Sequence, residues 1–395
     1  MLPEKPLAWG RSRSCIRELA EYGAARRAEI GAENVFDFSL GNPSVPAPPE
    51  INEAIAALLR EEPLSLHGYT TAAGILPLRE KIAADLNARY GLQETPNLLY
   101  VTCGAASGLT ASLNALLLPG ENVVTPAPFF PEYRVFTEAA GGQLVTVPPR
   151  ADFQPDLQAF DAALNENTKV VILNSPNNPS GVIYSAETLT ALAQLLCRAE
   201  QRFGHPIYLI SDEPYRELVY DGAEAPCPLC FYDDTVFCYS FSKSMSVPGE
   251  RIGYVAVSSR MKNAVDVYAA IVGAARGLGY VNPPSLFQRV IERCYGKTSD
   301  LAAYVENRRL LTEGLAELGY EFVPPQGAFY LFVKALEPDA KAFSEKAKKH
   351  DLLLVPSDDF GCGGYVRIAY CVSAEQIRRS MPAFRALKEE YDRQG

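Results

Sequence analysis

Lys243 lies among small hydroxyl residues in the run 239–244, Tyr-Ser-Phe-Ser-Lys-Ser. The strand-forming residues 235–239 precede it, so we expect the lysine at the end of a strand, facing a cleft. An amine held there can lose its proton and attack a carbonyl carbon, which forms a Schiff base. Neighbouring hydroxyls and Arg251 could hold an anionic group beside it. A solvated lysine in a serine-rich loop is the alternative, and this run alone leaves both interpretations open.

A second run that could bind a ligand is residues 103–108, Cys-Gly-Ala-Ala-Ser-Gly, which open a predicted helix. Small residues let a phosphate approach the backbone N–H groups and the positive end of the helix dipole. The glycine and lysine spacings of a P-loop or of a dinucleotide-binding loop are absent. The run is compatible with phosphate binding through the backbone, and equally with close packing of a helix on a sheet.

Three further runs place aromatic, amide and acidic side chains after predicted strands. Residues 128–133 (Pro-Phe-Phe-Pro-Glu-Tyr) offer rings that could stack on a planar cofactor, although phenylalanine is more often a core residue. Residues 174–181 (Asn-Ser-Pro-Asn-Asn-Pro-Ser-Gly) form a rigid turn with three asparagines. Residues 211–215 (Ser-Asp-Glu-Pro-Tyr) end an apolar strand, which indicates a carboxylate in the cleft or, alternatively, a helix N-cap.

The elements that carry these runs alternate between strands and helices. Helices are predicted between most of the strands, for example at 105–117 and 186–203. The alternation predicts an α/β fold with a mostly parallel, seven-stranded sheet between helices, and ligands at the carboxyl ends of the strands. The predicted strands are 98–102, 122–125, 143–147, 169–173, 207–210, 236–239 and 252–257.

The pattern changes after Pro283-Pro284, where a smaller α+β domain is predicted. Its predicted elements are helices 286–295, 299–318 and one from about 374, and strands near 328–333, 352–355 and 365–370. The N-terminal segment completes it, with a helix at 14–30 that we interpret as a lid or arm and a strand at 35–40. The predicted division is a large domain at 41–284 and a small domain at 1–40 and 285–395.

An aspartate, an asparagine, a tyrosine, an aromatic ring, a phosphate-binding turn and a lysine thus reach one edge of the predicted sheet. Pyridoxal 5′-phosphate has a partner for each of them: a ring nitrogen, a phenolic oxygen, a flat ring, a phosphate and an aldehyde. The combination of motifs therefore predicts an enzyme that uses this cofactor.

From about Asp37 onward the chain resembles class I/II aminotransferases of the fold-type I pyridoxal-phosphate superfamily. The motifs that carry the resemblance are 178–181 (Asn-Pro-Ser-Gly), 212–215 (Asp-Glu-Pro-Tyr), 240–243 (Ser-Phe-Ser-Lys), 249–253 (Gly-Glu-Arg-Ile-Gly) and 365–369 (Tyr-Val-Arg-Ile-Ala). The resemblance implies ping-pong transfer of an amino group between an L-amino acid and a 2-oxo acid, through a Schiff base on Lys243.

The resemblance also implies a role for each motif residue. Lys243 would form the Schiff base and shuttle the substrate proton, and Asp212 would pair with the ring nitrogen. Asn178 and Tyr215 would bond the phenolic oxygen. The other implied cofactor contacts are ring stacking by Phe130 and phosphate binding by Gly104, Ala105, Ala106, Ser240, Ser242, Arg251 and, from a neighbouring subunit, Tyr69. Two positions depart from the family pattern: Ser180 replaces a threonine, and Ala106 replaces a longer polar residue.

For the substrate, the resemblance assigns Arg367 to clamp the α-carboxylate, with Gly41 lining the same pocket. Arg276, shortly before Asn282-Pro283-Pro284, is a candidate for reading a second carboxylate across a subunit boundary; a surface arginine is the alternative. Aspartate with 2-oxoglutarate is the favoured pair. Aromatic or alanine-type donors, C–S β-elimination from a cysteine conjugate and a racemase-like activity stay open.

Composition limits the partners and the location. Hydrophobic residues make up 48% of the 395 residues and the net charge is −10, which is typical of a globular protein and disfavours nucleic acid or an anionic membrane as partner. Residues 1–6 show no apolar leader region, and nine cysteines without regular spacing favour a reducing cytoplasm. The resemblance implies a homodimer with shared active sites.

The cysteine pair at 227 and 230 and the three histidines do not indicate a function. Cys227 and Cys230 have CxxC spacing, but no second pair or histidine cluster completes a zinc site, and nothing predicts a thioredoxin-like unit. His67, His205 and His350 show no triad or metal spacing. A regulatory protein built on an aminotransferase-like fold is disfavoured, because too few residues precede position 37 for a DNA-binding winged helix.

Overall fold

A computed structural model describes residues 2–11, 15–61 and 63–393; Ser14, the predicted start of the first long helix, lies outside them. The central sheet has seven strands in the order β2-β8-β7-β6-β5-β3-β4, and β8 runs antiparallel to both of its neighbours. The strands are β2 (Leu99–Thr102), β3 (Asn122–Pro126), β4 (Gln143–Val147), β5 (Thr168–Asn174), β6 (Tyr208–Asp212), β7 (Thr235–Ser240) and β8 (Gly253–Val257). The predicted mostly parallel, seven-stranded sheet is confirmed.

Helices cover both faces of this sheet. They are α3 (Pro49–Leu58), α4 (Pro63–His67), α5 (Leu76–Tyr90), α6 (Ala105–Leu116), α7 (Glu132–Ala139), α8 (Leu157–Ala163), α9 (Ala186–Phe203), α10 (Phe241–Ser244), α11 (Ala264–Gly277) and α12 (Ser285–Cys294). In β5 the side chains of Val170 and Ile172 pack in one cluster with α6 and α11. Those of Val171 and Leu173 pack in another with α8 and α9. Since side chains alternate across a strand, a fully apolar strand is what a sheet buried on both faces requires.

Local signals set the helix ends. The hydroxyl of Ser185 accepts a hydrogen bond from the Thr188 N–H at 3.1 Å and so caps the start of α9. Gly204 follows the last turn with φ of 76°, a left-handed conformation that glycine adopts without strain. For this helix the predicted range 186–203 agrees with the structure at both ends.

A separate three-stranded antiparallel sheet has the order β11-β12-β9, and a short parallel pair joins β1 to β10. The elements here are β1 (Phe36–Asp37), α13 (Ala302–Glu317), β9 (Tyr330–Lys334), α14 (Ala340–Lys348), β10 (Leu352–Leu353), β11 (Val355–Pro356), β12 (Tyr365–Ala369) and α15 (Ala374–Asp392). The predicted strand 352–355 is wrong as one strand, because it divides between the two small sheets. The strand predicted at 35–40 is only two residues long.

Two N-terminal helices, α1 (Glu4–Arg11) and α2 (Cys15–Ile30), precede β1. Ion pairs hold α2 in place: Arg26 to Asp351 at 2.7 Å and Arg27 to Asp37 at 2.5 Å. Leu19 packs with residues of β10 and β11 in a small apolar cluster. The helix is therefore fixed to the small sheets, as a segment that completes the second domain would be.

The predicted division into domains stays a prediction. Helix α12, which it places in the small domain, packs against α3 and α5. Its Val290 and Ile291 share a core cluster with residues of β2, β7 and β8. Among the described residues, no helix combines the length and the apolar character needed to cross a membrane.

Candidate active site

Polar side chains that could take part in a reaction lie close together at the carboxyl ends of three adjacent parallel strands. In the register of the sheet Asn174 of β5 lies opposite Asp212 of β6, and Asp212 opposite Cys238 of β7. A cavity of about 290 Å³ opens at this edge. Most of the predicted site residues line it: Gly41, Ala105, Ala106, Phe130, Asn178, Asp212, Tyr215, Ser240, Ser242, Lys243, Arg251 and Arg367.

Lys243 lies on the short helix α10, directly after β7, and its side chain reaches into the cavity. Its Nζ donates a hydrogen bond to the carbonyl oxygen of Gly41 at 2.6 Å. Burial lowers the pKa of the Lys243 ammonium to about 8, with Cys371 opposing the effect of burial and the positive charges of Arg251 and Arg367 adding to it. At neutral pH roughly a tenth of the amine is therefore unprotonated, far more than for an ordinary lysine, and the free amine is the form that attacks a carbonyl.

Asp212 has one carboxylate oxygen paired and one unpaired. The Tyr133 hydroxyl donates to Oδ2 at 2.6 Å, whereas Oδ1 is buried and has no hydrogen-bond partner among the described residues. Burial raises the pKa of Asp212 to about 7; the Tyr133 hydrogen bond lowers it and the Glu213 charge raises it. A buried carboxylate oxygen without a donor is costly, so Oδ1 marks where a cationic or N–H group of a ligand would bind.

Arg367, on β12, resembles Asp212 in having a buried polar atom without a hydrogen-bond partner among the described residues. It is 2% exposed; its Nη1 donates to Asn178 Oδ1 at 3.2 Å and its Nη2 to the Ser39 carbonyl at 2.6 Å. Its Nε is buried with no acceptor among the described residues, and none of their ion pairs includes this guanidinium. A buried guanidinium without a carboxylate partner is suited to an anionic ligand.

Tyr330, on β9, links these groups and was missed by the sequence analysis. Its hydroxyl lies 3.0 Å from the hydroxyl of Tyr215, and its ring centre lies 4.7 Å from the Arg367 guanidinium. A methyl group at Gly41 would overlap the Tyr330 hydroxyl, so only glycine fits at that position. Tyr330 belongs to an apolar strand in the sequence, a pattern that predicts a core residue and gives no sign of a role in the site.

A cradle of backbone and hydroxyl groups forms at the start of α6. Gly104 has φ of 80°, and a Cβ there would lie 2.8 Å from Nη2 of Arg251. The N–H groups of the first helical turn, at Ala105 and Ala106, stay unbonded by the helix itself. Ser240 donates to the Ser242 hydroxyl at 2.8 Å on the same side of the cavity. Three kinds of donor thus surround a space that suits a phosphate.

Three predicted site residues, Gly104, Tyr69 and Arg276, are not among the residues that line the cavity of their own chain. Tyr69 is 99% exposed, and Arg276 is an exposed residue in the last turn of α11. The cavity also has lining residues outside the prediction, among them Ile16, Leu109, Asn174, Pro214, Pro248 and Tyr330. Tyr133, the partner of Asp212, was missed as well, because its role depends on a contact between β6 and α7 that no local signal reveals.

Comparisons with known proteins agree with this site. The chain belongs to the class I and II aminotransferases, since the family model "Aminotransferase class I and II" matches residues 33–384. The predicted enzyme class, a pyridoxal-phosphate-dependent aminotransferase, and the predicted fold are confirmed.

Individual relatives cover almost the whole chain. The structure of an amino transferase from Eubacterium rectale is 50% identical and superposes with a TM-score of 0.97 over 99% of each chain. Aspartate aminotransferase from Thermotoga maritima is 32% identical over 93% of this chain and 95% of that protein. The structure of aspartate aminotransferase from Thermus thermophilus with maleate is 28% identical, with a TM-score of 0.86 over 98% of this chain and 99% of that one.

Proposed function

We propose that this aminotransferase exchanges an amino group between an L-amino acid, with aspartate favoured, and a 2-oxo acid such as 2-oxoglutarate, using pyridoxal 5′-phosphate held in the 290 Å³ cavity. The observation that carries the proposal is the unpartnered Oδ1 of Asp212, in the same cavity as Lys243 and Arg367. A protonated ring nitrogen is the ligand group that such an oxygen lacks.

The other residues fit the remaining parts of the cofactor. Ala105 and Ala106 offer backbone N–H groups to the phosphate, with Ser240, Ser242 and Arg251 around it. Phe130 offers a ring face for stacking. Tyr215 and Asn178 offer hydroxyl and amide donors to the phenolic oxygen. Each of these side chains lines the cavity.

When bound, pyridoxal phosphate supplies an aldehyde that captures the substrate amine and a ring that takes up the electron pair left at Cα. Lys243 Nζ would be the base that takes the Cα proton and returns it to the carbon that carried the cofactor's aldehyde, and its depressed pKa suits both proton transfers. Arg367 binds the α-carboxylate and so fixes which substituent of Cα faces Lys243.

The preference for aspartate is drawn from the relatives and from the cations of the site. Two of the relatives are named aspartate aminotransferases, and the Thermus thermophilus structure contains maleate, a dicarboxylate. Within the part of the chain that the structure describes, the cations that line the cavity are Lys243, Arg251 and Arg367, each with a role already assigned. A second carboxylate therefore needs Arg276 of a partner subunit, which is consistent with a homodimer in which Tyr69 also completes the neighbouring site. We assign this dimer to the cytoplasm.

A screen of single amino acids tests the proposal. The holoenzyme is mixed with one donor at a time, and loss of the visible absorbance of the lysine-bound cofactor is followed. Fast loss with aspartate and glutamate is expected, and Arg276→Gln should slow both at least about tenfold. Arg385→Gln, at an exposed arginine on α15, is the matched control and should change neither.

Other outcomes separate the remaining functions. Fast reaction with aromatic or small neutral donors alone would remove Arg276 from the site and leave amino transfer intact. Release of pyruvate and ammonia from a cysteine conjugate without an oxo acid would favour C–S β-elimination. Retention of the visible band and of full activity in Lys243→Ala would overturn the assignment of the lysine.

A further inference from the structure

The pair Cys227 and Cys230, left without a function above, lies outside the active-site cavity. Cys227 precedes the short 3₁₀-helix Pro228–Cys230 and is 2% exposed, whereas Cys230 is exposed to solvent. No group of three or more histidine, cysteine or acidic residues suited to a metal was found among the described residues. What the described residues offer at this position is the chemistry of two thiols.

The backbone holds the two residues at a distance that a disulfide can span. The Cys230 N–H donates to the Cys227 carbonyl oxygen at 2.9 Å, which closes a tight turn. The Cα atoms at the ends of such a turn are less than about 7 Å apart. Disulfides need a Cα separation of about 4.4–6.8 Å, so the turn allows the bond without a large backbone shift.

The charges around the pair favour a thiolate on the exposed cysteine. The Cys230 thiol donates to the Tyr90 carbonyl oxygen at 3.7 Å. A hydrogen bond from the Cys227 thiol, aided by Arg260 and Arg216 and opposed by burial, lowers the pKa of Cys230 to about 7. The same hydrogen bond raises the pKa of the Cys227 thiol, with burial adding to it and Glu213 opposing ionisation as well. Both arginines are anchored here: Arg260 donates to the Leu229 carbonyl at 2.6 Å and Arg216 to the Ala225 carbonyl at 2.8 Å.

We propose that Cys227 and Cys230 form a redox-active dithiol, in which exposed Cys230 reacts with a peroxide and buried Cys227 resolves the product to a disulfide. The Cys230 thiolate attacks one oxygen of hydrogen peroxide, the O–O bond breaks, and water leaves after protonation, which gives a sulfenic acid. The Cys227 sulfur then attacks the Cys230 sulfur and expels a second water molecule. Two thiols and one peroxide become one disulfide and two waters.

The arrangement makes the oxidation reversible. A sulfenic acid without a nearby thiol proceeds to sulfinic acid, which thiol reductants do not restore. Because the turn holds Cys227 at a Cα separation from Cys230 that a disulfide can span, capture of the sulfenic acid competes with further oxidation. The exposed Cys197, on α9, is a suitable comparison, since burial raises the pKa of its thiol and nearby carboxylates add to the effect.

Peptide mass measurement on the holoenzyme tests the proposal. The protein is treated with equimolar hydrogen peroxide near neutral pH, unfolded, alkylated with iodoacetamide and cut with trypsin. Residues 217–243 form one peptide with three cysteines, Cys227, Cys230 and Cys238. After peroxide we expect the peptide to be alkylated at Cys238 alone, with a mass two hydrogens below that of the singly alkylated peptide with two free thiols. Treatment with dithiothreitol before alkylation should give a peptide with three alkylated cysteines. Three alkylated cysteines after peroxide, or a sulfinic acid on Cys230 beside alkylated Cys227, would overturn the proposal.

Variants and alkylation rates supply the controls. Cys197→Ser should form the same disulfide, whereas Cys227→Ser should accumulate sulfinic acid on Cys230 that dithiothreitol does not remove. In the unchanged native protein near pH 7, iodoacetamide should modify Cys230 at least about tenfold faster than Cys197. Equal rates for the two cysteines would contradict the assignment of Cys230 as the reacting thiol.

Discussion

Asp212 shows how a residue that is suited to the proposed reaction can lower the stability of the cofactor-free protein. Its Oδ1 is buried without a partner, and burial raises its pKa to about 7 from an unfolded value near 4. Below about pH 4 the group is protonated in both the folded and the unfolded chain. As the pH rises toward 7 only the unfolded chain ionises freely, so the folded state binds more protons and loses stability.

Asp212→Asn should therefore stabilise the cofactor-free protein at high pH while it impairs the reaction. Above about pH 7 we expect the free energy of unfolding to rise, on the order of 4 kcal/mol at most, with the difference vanishing near pH 4. The rate of amino transfer should fall at least about 100-fold. Thermal unfolding of the apoprotein across pH checks the first part. Asp358→Asn, at an exposed carboxylate, should shift neither quantity.

The pKa of Lys243 gives a second prediction about pH. Only the free amine attacks the cofactor aldehyde, and the pKa of this lysine is about 8. The rate at which apoprotein captures pyridoxal phosphate should thus rise with pH and level off above a midpoint near 8. Stopped-flow absorbance measures it directly. A midpoint above about 10, the value of an ordinary lysine, would contradict the burial described for Nζ.

Gly41 and Tyr330 form a pair that can be tested together. Gly41→Ala should displace the Tyr330 hydroxyl from Tyr215 and shift the ring beside Arg367, lowering kcat/KM at least about tenfold. Tyr330→Phe removes the overlapping oxygen, so the double variant should lose less than the sum of the two single changes. Gly273→Ala, in α11 with open space around its Cα, is the matched control. Additive losses would show that the two residues act separately.

The residues found by sequence differ in kind from those that were missed. Lys243, Asp212 and Arg367 stand in motifs whose polar residues interrupt apolar strands, and the structure brings them into one cavity. Tyr330 and Tyr133 act through their hydroxyls on residues far away in the chain, at Tyr215 and Asp212. Such partners depend on how elements pack, and a single sequence contains no spacing that reveals them.

At the scale of elements, the junction of β2 and α6 makes the phosphate cradle depend on one glycine. Gly104→Ala combines a left-handed backbone with a Cβ 2.8 Å from Arg251 Nη2. Gly91→Ala, after α5, has the left-handed backbone alone, with φ of 66° and nothing within 4 Å. Gly91→Ala should lower the free energy of unfolding by about 1–2 kcal/mol, and Gly104→Ala should lower it by more, since its φ of 80° and ψ of 175° lie in a region that almost only glycine adopts and the new Cβ also meets Arg251.

These two variants should differ in cofactor affinity. Gly104→Ala moves Arg251 and should weaken pyridoxal phosphate binding at least about tenfold, whereas Gly91→Ala should leave it unchanged. Equilibrium titration of the apoproteins, followed by absorbance, makes the comparison. Equal affinities in both variants would mean that Arg251 and the turn at Gly104 do not hold the phosphate.

Six of the seven strands were predictable because each is a largely apolar run, bounded by turn residues and buried on both faces; β4, at the edge of the sheet, is buried only at Val147. The segment 352–355 was harder. Leu352 and Leu353 pair in parallel with β1, whereas Val355 and Pro356 pair antiparallel with β12. Its four apolar residues look like one strand, and only the positions of the partners, which come from distant parts of the chain, divide it.

At the scale of the whole molecule, the fully exposed Tyr69 tests the dimer. Tyr69→Phe should weaken cofactor binding if its hydroxyl completes the phosphate site of a partner subunit. A hybrid of a Tyr69→Phe subunit with a Lys243→Ala subunit has one site with both an intact lysine and an intact tyrosine. We expect cofactor affinity to be restored at that site. Sedimentation as a monomer, or no restoration in the hybrid, would contradict shared sites.

The chain has one tryptophan, Trp9 on α1, whose indole N–H donates to Glu138 on α7 at 3.4 Å. The next helix, α2, is fixed to the small sheets and places Ile16 in the cavity. The N-terminal helices thus contact both the central sheet's covering helices and the reacting space. Indole emission consequently comes from a single position beside α7, which makes Trp9 an intrinsic fluorescent probe of the contact between α1 and α7.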